Sequence, residues 1–85
     1  MKLFTIYDVK SESYSAPTLN PARGQAIRQF ADAVNSDDGV LSTHPEDFTL
    51  FELGDFDMKT GVITLLDAKE AVANGVDLKE TAAVS

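Results

Sequence analysis

From Lys2 to Tyr7 the side chains sort onto two faces with a two-residue period, Phe4 and Ile6 on one and Leu3, Thr5 and Tyr7 on the other. That two-residue period is the signature of a β-strand. Asp8 to Glu12 is polar and turn-like. Ser13 to Leu19 follows as a second strand, which Pro17 confines to a sheet edge or ends early because proline has no N–H to give a ladder. The period then changes. Ile27, Phe30, Ala31 and Val34 recur at i, i+3, i+4 and i+7 with Ala26 beside them, one apolar stripe of a helix. Asn20-Pro21 supplies an N-cap and a first-turn proline for that helix. Gly24 weakens its first turn by roughly 1 kcal/mol relative to alanine. Asn35-Ser36-Asp37-Asp38-Gly39 ends it.

Val40 and Leu41 lead into the loop Ser42-Thr43-His44-Pro45, whose proline biases His44 toward extended geometry. Alternation returns from Phe48 to Leu53, with Phe48 and Leu50 on one face and Phe51 and Leu53 on the other. Asp57 to Gly61 reads as a tight turn closing on a left-handed glycine. Val62 to Leu66 reads as the partner strand. Asp67 followed three residues later by Glu70 has capping-box spacing and predicts a short helix from Ala68 to about Ala73, stopped by Asn74-Gly75. The last ten residues are expected to fray or to dock weakly.

These elements predict an α+β domain over residues 1-66, with residues 67-85 as a short C-terminal helix and tail. Its four-stranded antiparallel sheet has the chain order β-β-α-β-β and is covered on one face by one helix. A single helix leaves the other face open unless the tail or a second copy covers it. Tyr7, with Phe51 or Leu50, is a candidate for that open face. A half-covered sheet carrying aromatics suits a partner chain or stacked bases. A homo-oligomer, dimer or higher, is the expectation, with Phe51 at its interface.

Charge narrows the function classes. The chain has 14 acidic and seven basic residues, a net −7, which repels nucleic acid at long range and does not steer the chain to anionic membranes. Eighty-five residues make one domain near the lower limit of independent folding. Without cysteine there is no disulfide or thiolate metal site, as suits a reducing compartment. No apolar run approaches the roughly 18 residues of a membrane span. Asp8 and Lys10 interrupt the N-terminal apolar stretch before a signal-peptide core forms. No membrane association is expected.

Candidate catalytic chemistry is thin. Asp55-x-Asp57-x-Lys59 resembles the opening of a calcium loop, yet Thr60 stands where the glycine belongs and Leu66 where the last carboxylate belongs. His44, the one histidine, has no cysteine or activated serine to serve. Glu46, Asp47, Glu52, Asp55 and Asp57 gather on one hairpin, which reads as a solvated acidic edge that discourages aggregation. No enzyme, metal or cofactor is expected. Seven basic residues are spread along the chain. Arg23 flanks the buried stripe and Arg28 points about 100° from Ile27.

The run HPEDFTLFELG from His44 to Gly54, followed by Asp55-Phe56-Asp57 and then Thr60-Gly61, resembles the small non-structural protein of gokushoviruses, tailless single-stranded DNA phages of the microvirus group. The strand ending in Tyr7-Asp8 and the helix containing Arg23-Gly24-Gln25-Ala26-Ile27-Arg28-Gln29-Phe30 agree with it, so the resemblance spans roughly residues 1 to 66. It implies a non-enzymatic, DNA-binding accessory protein of the host bacterial cytoplasm. Its role would lie in the switch from double-stranded replication to single-stranded genome synthesis or packaging. On residue type and rough position, Lys2, Lys10, Arg23 and Arg28 are candidates for phosphates, and Tyr7 and Tyr14 for stacking on single-stranded DNA. Net charge conflicts with that role. An oligomer could align small basic patches, or stacking could supply affinity. In the rival reading, an acidic oligomeric module docks a capsid protein or a phage or host replication protein without touching DNA.

Overall fold

In the computed structural model, which describes residues 1–37 and 39–80, the alternating segments pair as an open antiparallel sheet and the helical stripe closes over one side of it. The strands are β1 (Lys2–Asp8), β2 (Ser13–Tyr14), β3 (Thr18–Asn20), β4 (Phe48–Phe56) and β5 (Ile63–Asn74). The helices are α1 (Arg23–Val34), α2 (Val40–Thr43) and α3 (Gly75–Leu78), with a 3-10 turn at Pro45–Asp47. β1 pairs with β4 on one side and with both β2 and β3 on the other, and β5 lies outside β4. The chain is therefore the α+β class that its periodicities predict.

The strand expected over Ser13 to Leu19 is split into β2 and β3. Tyr7 and Asp8 face Tyr14 and Ser13, while Lys2 to Phe4 face Asn20 to Thr18. Pro17 sits in the break, and Ser15 bridges it. The Ser15 N–H donates to the Ile6 carbonyl (2.8 Å), its Oγ accepts from the Ile6 N–H (3.0 Å), and its carbonyl accepts from Thr5 Oγ1 (2.8 Å). Thr5, only 4 % exposed, thereby has its hydroxyl paired.

Helix α1 begins at Arg23, not at Pro21, and its N-cap position is Ala22 without a side-chain cap. Asn20 is the last residue of β3. It faces Lys2 across the ladder, and its buried side chain donates to Gln29 Oε1 at 3.3 Å. Strand pairing thus outcompeted capping for that residue. The expected stripe is otherwise what α1 buries: Ala26, Phe30 and Val34 join Phe4, Phe48 and Leu50 in the core, with Ile6, Ile27 and Leu41 packed against it. Leu50 is core at 3 % exposure, which leaves Phe51 as the aromatic on the other side of β4. Val40 to Thr43, expected as loop, forms the single turn α2.

The helix predicted over Ala68 to Ala73 does not form. β5 runs through it to Asn74. Six residues cannot sustain an isolated helix, whereas Ala71, Ala73 and Asn74 here pair with Phe51, Leu50 and Thr49. The Asp67 to Glu70 segment becomes a bulge instead: the step from Glu52 to Gly54 on β4 is spanned by the step from Leu65 to Glu70 on β5. β1 also skips Leu53, since Leu3 faces Gly54 and Phe4 faces Glu52. At this double irregularity β5 passes directly over Gly54. A Cβ there would collide with the Thr64 carbonyl and lie 2.8 Å from Leu65 Cα.

Beyond Gly54 the β4–β5 hairpin projects as an arm. Its tip turns at Asp57, whose Oδ1 accepts from the N–H groups of Lys59 (2.8 Å) and Thr60 (3.3 Å), and closes on Gly61 at φ 76° as expected. Those two backbone donors hold the Asp57 carboxyl below its usual range. At the other end α3 docks: Asn35 Nδ2 donates to the Leu78 carbonyl (2.9 Å), and Lys79 Nζ donates to the carbonyls of Val34 and Ser42 (both 3.0 Å). The segment through Glu80 is therefore docked on the C-terminus of α1, the second of the two outcomes expected for the tail, fraying or weak docking. Residues 81–85 of that expectation lie outside the described residues.

Candidate functional site

The side of the sheet away from α1 carries an aromatic cluster. A turn whose Glu12 adopts φ 55° returns β2 alongside β1 and sets Tyr14 opposite Tyr7. Their ring centroids are 4.6 Å apart with a 45° tilt. Tyr14 also meets Phe51 of β4 edge-on, at 6.2 Å and 65°. The β5 bulge brings Lys69 over this group, with Nζ 5.6 Å from the ring centroids of both Tyr14 and Phe51. Cation–π attraction favours that placement. Beside the rings lies a shallow depression of about 330 Å3 lined by Thr5, Tyr14, Ser15, Pro17, Leu53 and Lys69, and Lys69 is the one charged residue among these. Tyr14 remains 48 % exposed, so part of the cluster is accessible to solvent.

A charged cluster lies on the α1 side. Phe48, Leu50 and Glu52 alternate toward the helix, so the Glu52 carboxylate is carried into a nearly closed site with its side chain 4 % exposed. Arg23, at the first residue of α1, reaches it with Nε (2.9 Å) and Nη2 (2.8 Å) on Oε1. Arg23 Nη2 also contacts Glu70 Oε2 at 3.1 Å, and Lys2 Nζ stands 3.6 Å from Glu52 Oε2. The hydrogen bond and charge of Glu52, reinforced by Glu70, raise the Arg23 guanidinium above its ordinary value. Two cations are answered by two carboxylates.

The candidate residues therefore divide between two sides of the sheet. Tyr7 and Tyr14 come together with Phe51 on the open side. Lys2 and Arg23 come together on the helix side, engaged with Glu52. Lys10 lies in the exposed β1–β2 turn and Arg28 on the exposed surface of α1. Glu52 belongs to an internal ion pair, contrary to the solvated acidic edge expected of it. Position in the alternation already signalled this, because i, i+2, i+4 from Phe48 puts Glu52 on the core face. Lys69 was hidden by the capping-box spacing around it.

Elsewhere the surface offers less. A cavity of about 210 Å3 in the seam between α1 and the sheet is walled by Phe4, Ala26, Phe30 and Leu50 and carries no titratable group. His44 is an exposed loop residue. Among the described residues no three of His, Cys, Asp and Glu gather as metal ligands, and no helix is long and apolar enough to cross a membrane.

No curated protein and no solved structure matches the chain. A protein-family match covers residues 1–78, from β1 through α3, and so includes both the aromatic cluster and the Arg23–Glu52 pair. On that match the chain belongs to the phage ORF5 protein family.

Proposed function

We propose that this phage accessory protein holds single-stranded DNA on the open side of its sheet during replication or packaging of the genome, in the cytoplasm of a bacterium infected by a gokushovirus-like phage. The Tyr7–Tyr14–Phe51 cluster with Lys69 poised above it carries the reading. Stacking on aromatic rings contributes about 1–3 kcal/mol per base and depends less on net charge than phosphate contacts do, which eases the objection raised by a chain of net −7. Lys69 supplies one phosphate contact. Lys2 and Arg23 are left out, because their charges are already spent on Glu52 and Glu70.

Fluorescence anisotropy of labelled single- and double-stranded oligonucleotides over a salt series tests this. Expected is a preference for single strands with a shallow salt slope, near −0.7 for one phosphate. Tyr14→Ala should weaken binding about 5- to 150-fold, whereas Lys2→Gln should leave it unchanged. Absence of binding even at low salt would sink the reading. One observation supports the rival module that docks a replication or capsid protein: large apolar side chains stand exposed along the hairpin arm, from Met58 to Leu66. That reading predicts a stable protein partner in pull-downs and silence in the anisotropy.

A further inference from the structure

β5 is the outermost strand on its side of the sheet, and among the described residues no strand pairs with its outer edge. The Asp57 N–H donates to the Val62 carbonyl (2.9 Å), and Thr64 faces Asp55 in the same register. By the alternation of an antiparallel ladder, Val62 and Thr64 turn their backbone groups toward β4, while Ile63 and Leu65 turn theirs outward. Val62 to Leu66 contains no charge, proline or glycine, although proteins usually blunt a long edge with such residues. Val62, Ile63 and Leu65 are 56, 55 and 65 % exposed.

We propose that this edge pairs antiparallel with the same edge of a second copy of the chain, about a two-fold axis at Thr64. Ile63 of each copy then faces Leu65 of the other. All four have outward backbone groups, so each facing pair exchanges two N–H···O=C bonds, and Thr64 faces Thr64 at the non-bonded position between them. Val62 faces Leu66, so the whole uncharged segment is matched to itself. Moving the axis to Ile63 or Leu65 would set Leu65 against Gly61 or Ile63 against Asp67, which makes Thr64 the preferred centre.

Charge and area both fit a second copy. Two chains of net −7 repel at a distance, and pairing through this segment puts no carboxylate in the contact itself. With Met58 and Leu66, the exposed residues present roughly 300–500 Å2 of apolar surface per copy. Doubled across the axis, that gives roughly 600–1,000 Å2, at or below the threshold of about 1,000 Å2 for specific interfaces. The dimer is therefore weak enough to depend on concentration. It tightens with added salt as repulsion is screened, opposite to the salt response of DNA binding.

Sedimentation equilibrium across the micromolar range, at two ionic strengths, should show a monomer–dimer equilibrium that salt favours. Leu65→Lys should weaken it at least ~10-fold. Ile63→Pro should do the same by removing an outward N–H, because an edge proline leaves the ladder to β4 intact. Amide exchange on the unaltered protein gives a reading that needs no substitution: the Ile63 and Leu65 N–H groups should gain protection only as dimer forms. A monomer at every concentration, a dimer indifferent to both substitutions, or a dimer with those two amides unprotected would each overturn the proposal.

Discussion

Replacing Gly54 by alanine isolates the close passage of β5 over β4. Gly54 is not in the left-handed region, so alanine suits its backbone and the whole effect comes from contact. The new Cβ would stand 2.8 Å from Leu65 Cα, against about 3.5–4.0 Å for comfortable carbon–carbon contact. β5 must retreat by roughly 1 Å. That stretches N–H···O bonds of about 2.9 Å beyond their useful range, at the Asp55–Thr64 and Asp57–Val62 pairs that carry the ladder of the arm. Losing two to four such bonds at about 1 kcal/mol each costs about 2–4 kcal/mol. An 85-residue domain has about 4–13 kcal/mol in total. At an m-value near 1 kcal/mol/M, the urea midpoint should fall by about 2–4 M. If the arm peels away before the core melts, a separate early loss should appear in the amide signals of Ile63 to Leu66. Gly61→Ala is the control. Its Cβ meets nothing within 4 Å, yet φ is 76°, so only the left-handed penalty of about 1–2 kcal/mol applies. A Gly54→Ala protein with an unchanged midpoint and intact arm signals would refute the crossing.

Phe30→Ala removes a ring that is 2 % exposed at the centre of the core. It should cost about 3–5 kcal/mol and lower the melting temperature by more than ~12 °C, and a shift under ~5 °C by circular dichroism would contradict the packing described. Acid should loosen the hairpin tip. The folded Asp57 carboxyl is held below its ordinary value, so its contribution is fully present above about pH 4 and is lost as pH falls through the depressed value. Lys59 and Thr60 amide exchange followed down to strongly acid pH should accelerate there, and Asp57→Asn should remove the pH dependence.

Periodicity carried much of the fold. Phe4, Phe30, Val34, Phe48 and Leu50 lie inside because their spacing puts them there. Local spacing misled where it competed with pairing. Asn20 has the chemistry of a cap but serves a strand, and Asp67 with Glu70 has the spacing of a capping box but forms a bulge. Both outcomes depend on which strands lie alongside, which is long-range information that a local pattern does not hold. The aromatic side of the site was half legible. Tyr7 and Phe51 follow from alternation, whereas Lys69 reaches them only through three-dimensional register. Glu52 was legible and misread, since an acid within an apolar alternation asks for a buried partner and Arg23 provides it.

The break at Pro17 limits how far association can go. With β2 only two residues long and β3 three, separated by a proline and bridged by the Ser15 side chain, that margin of the sheet offers no continuous row of donors and acceptors to a newcomer. The protein thus has one receptive margin and one sterile margin. When two receptive margins join, only sterile ones face outward, and growth stops at a closed pair instead of continuing into a fibre. A damaged break, such as Pro17→Val with Ser15→Val, would give the sheet two receptive margins and turn a self-limiting protein into one able to polymerise.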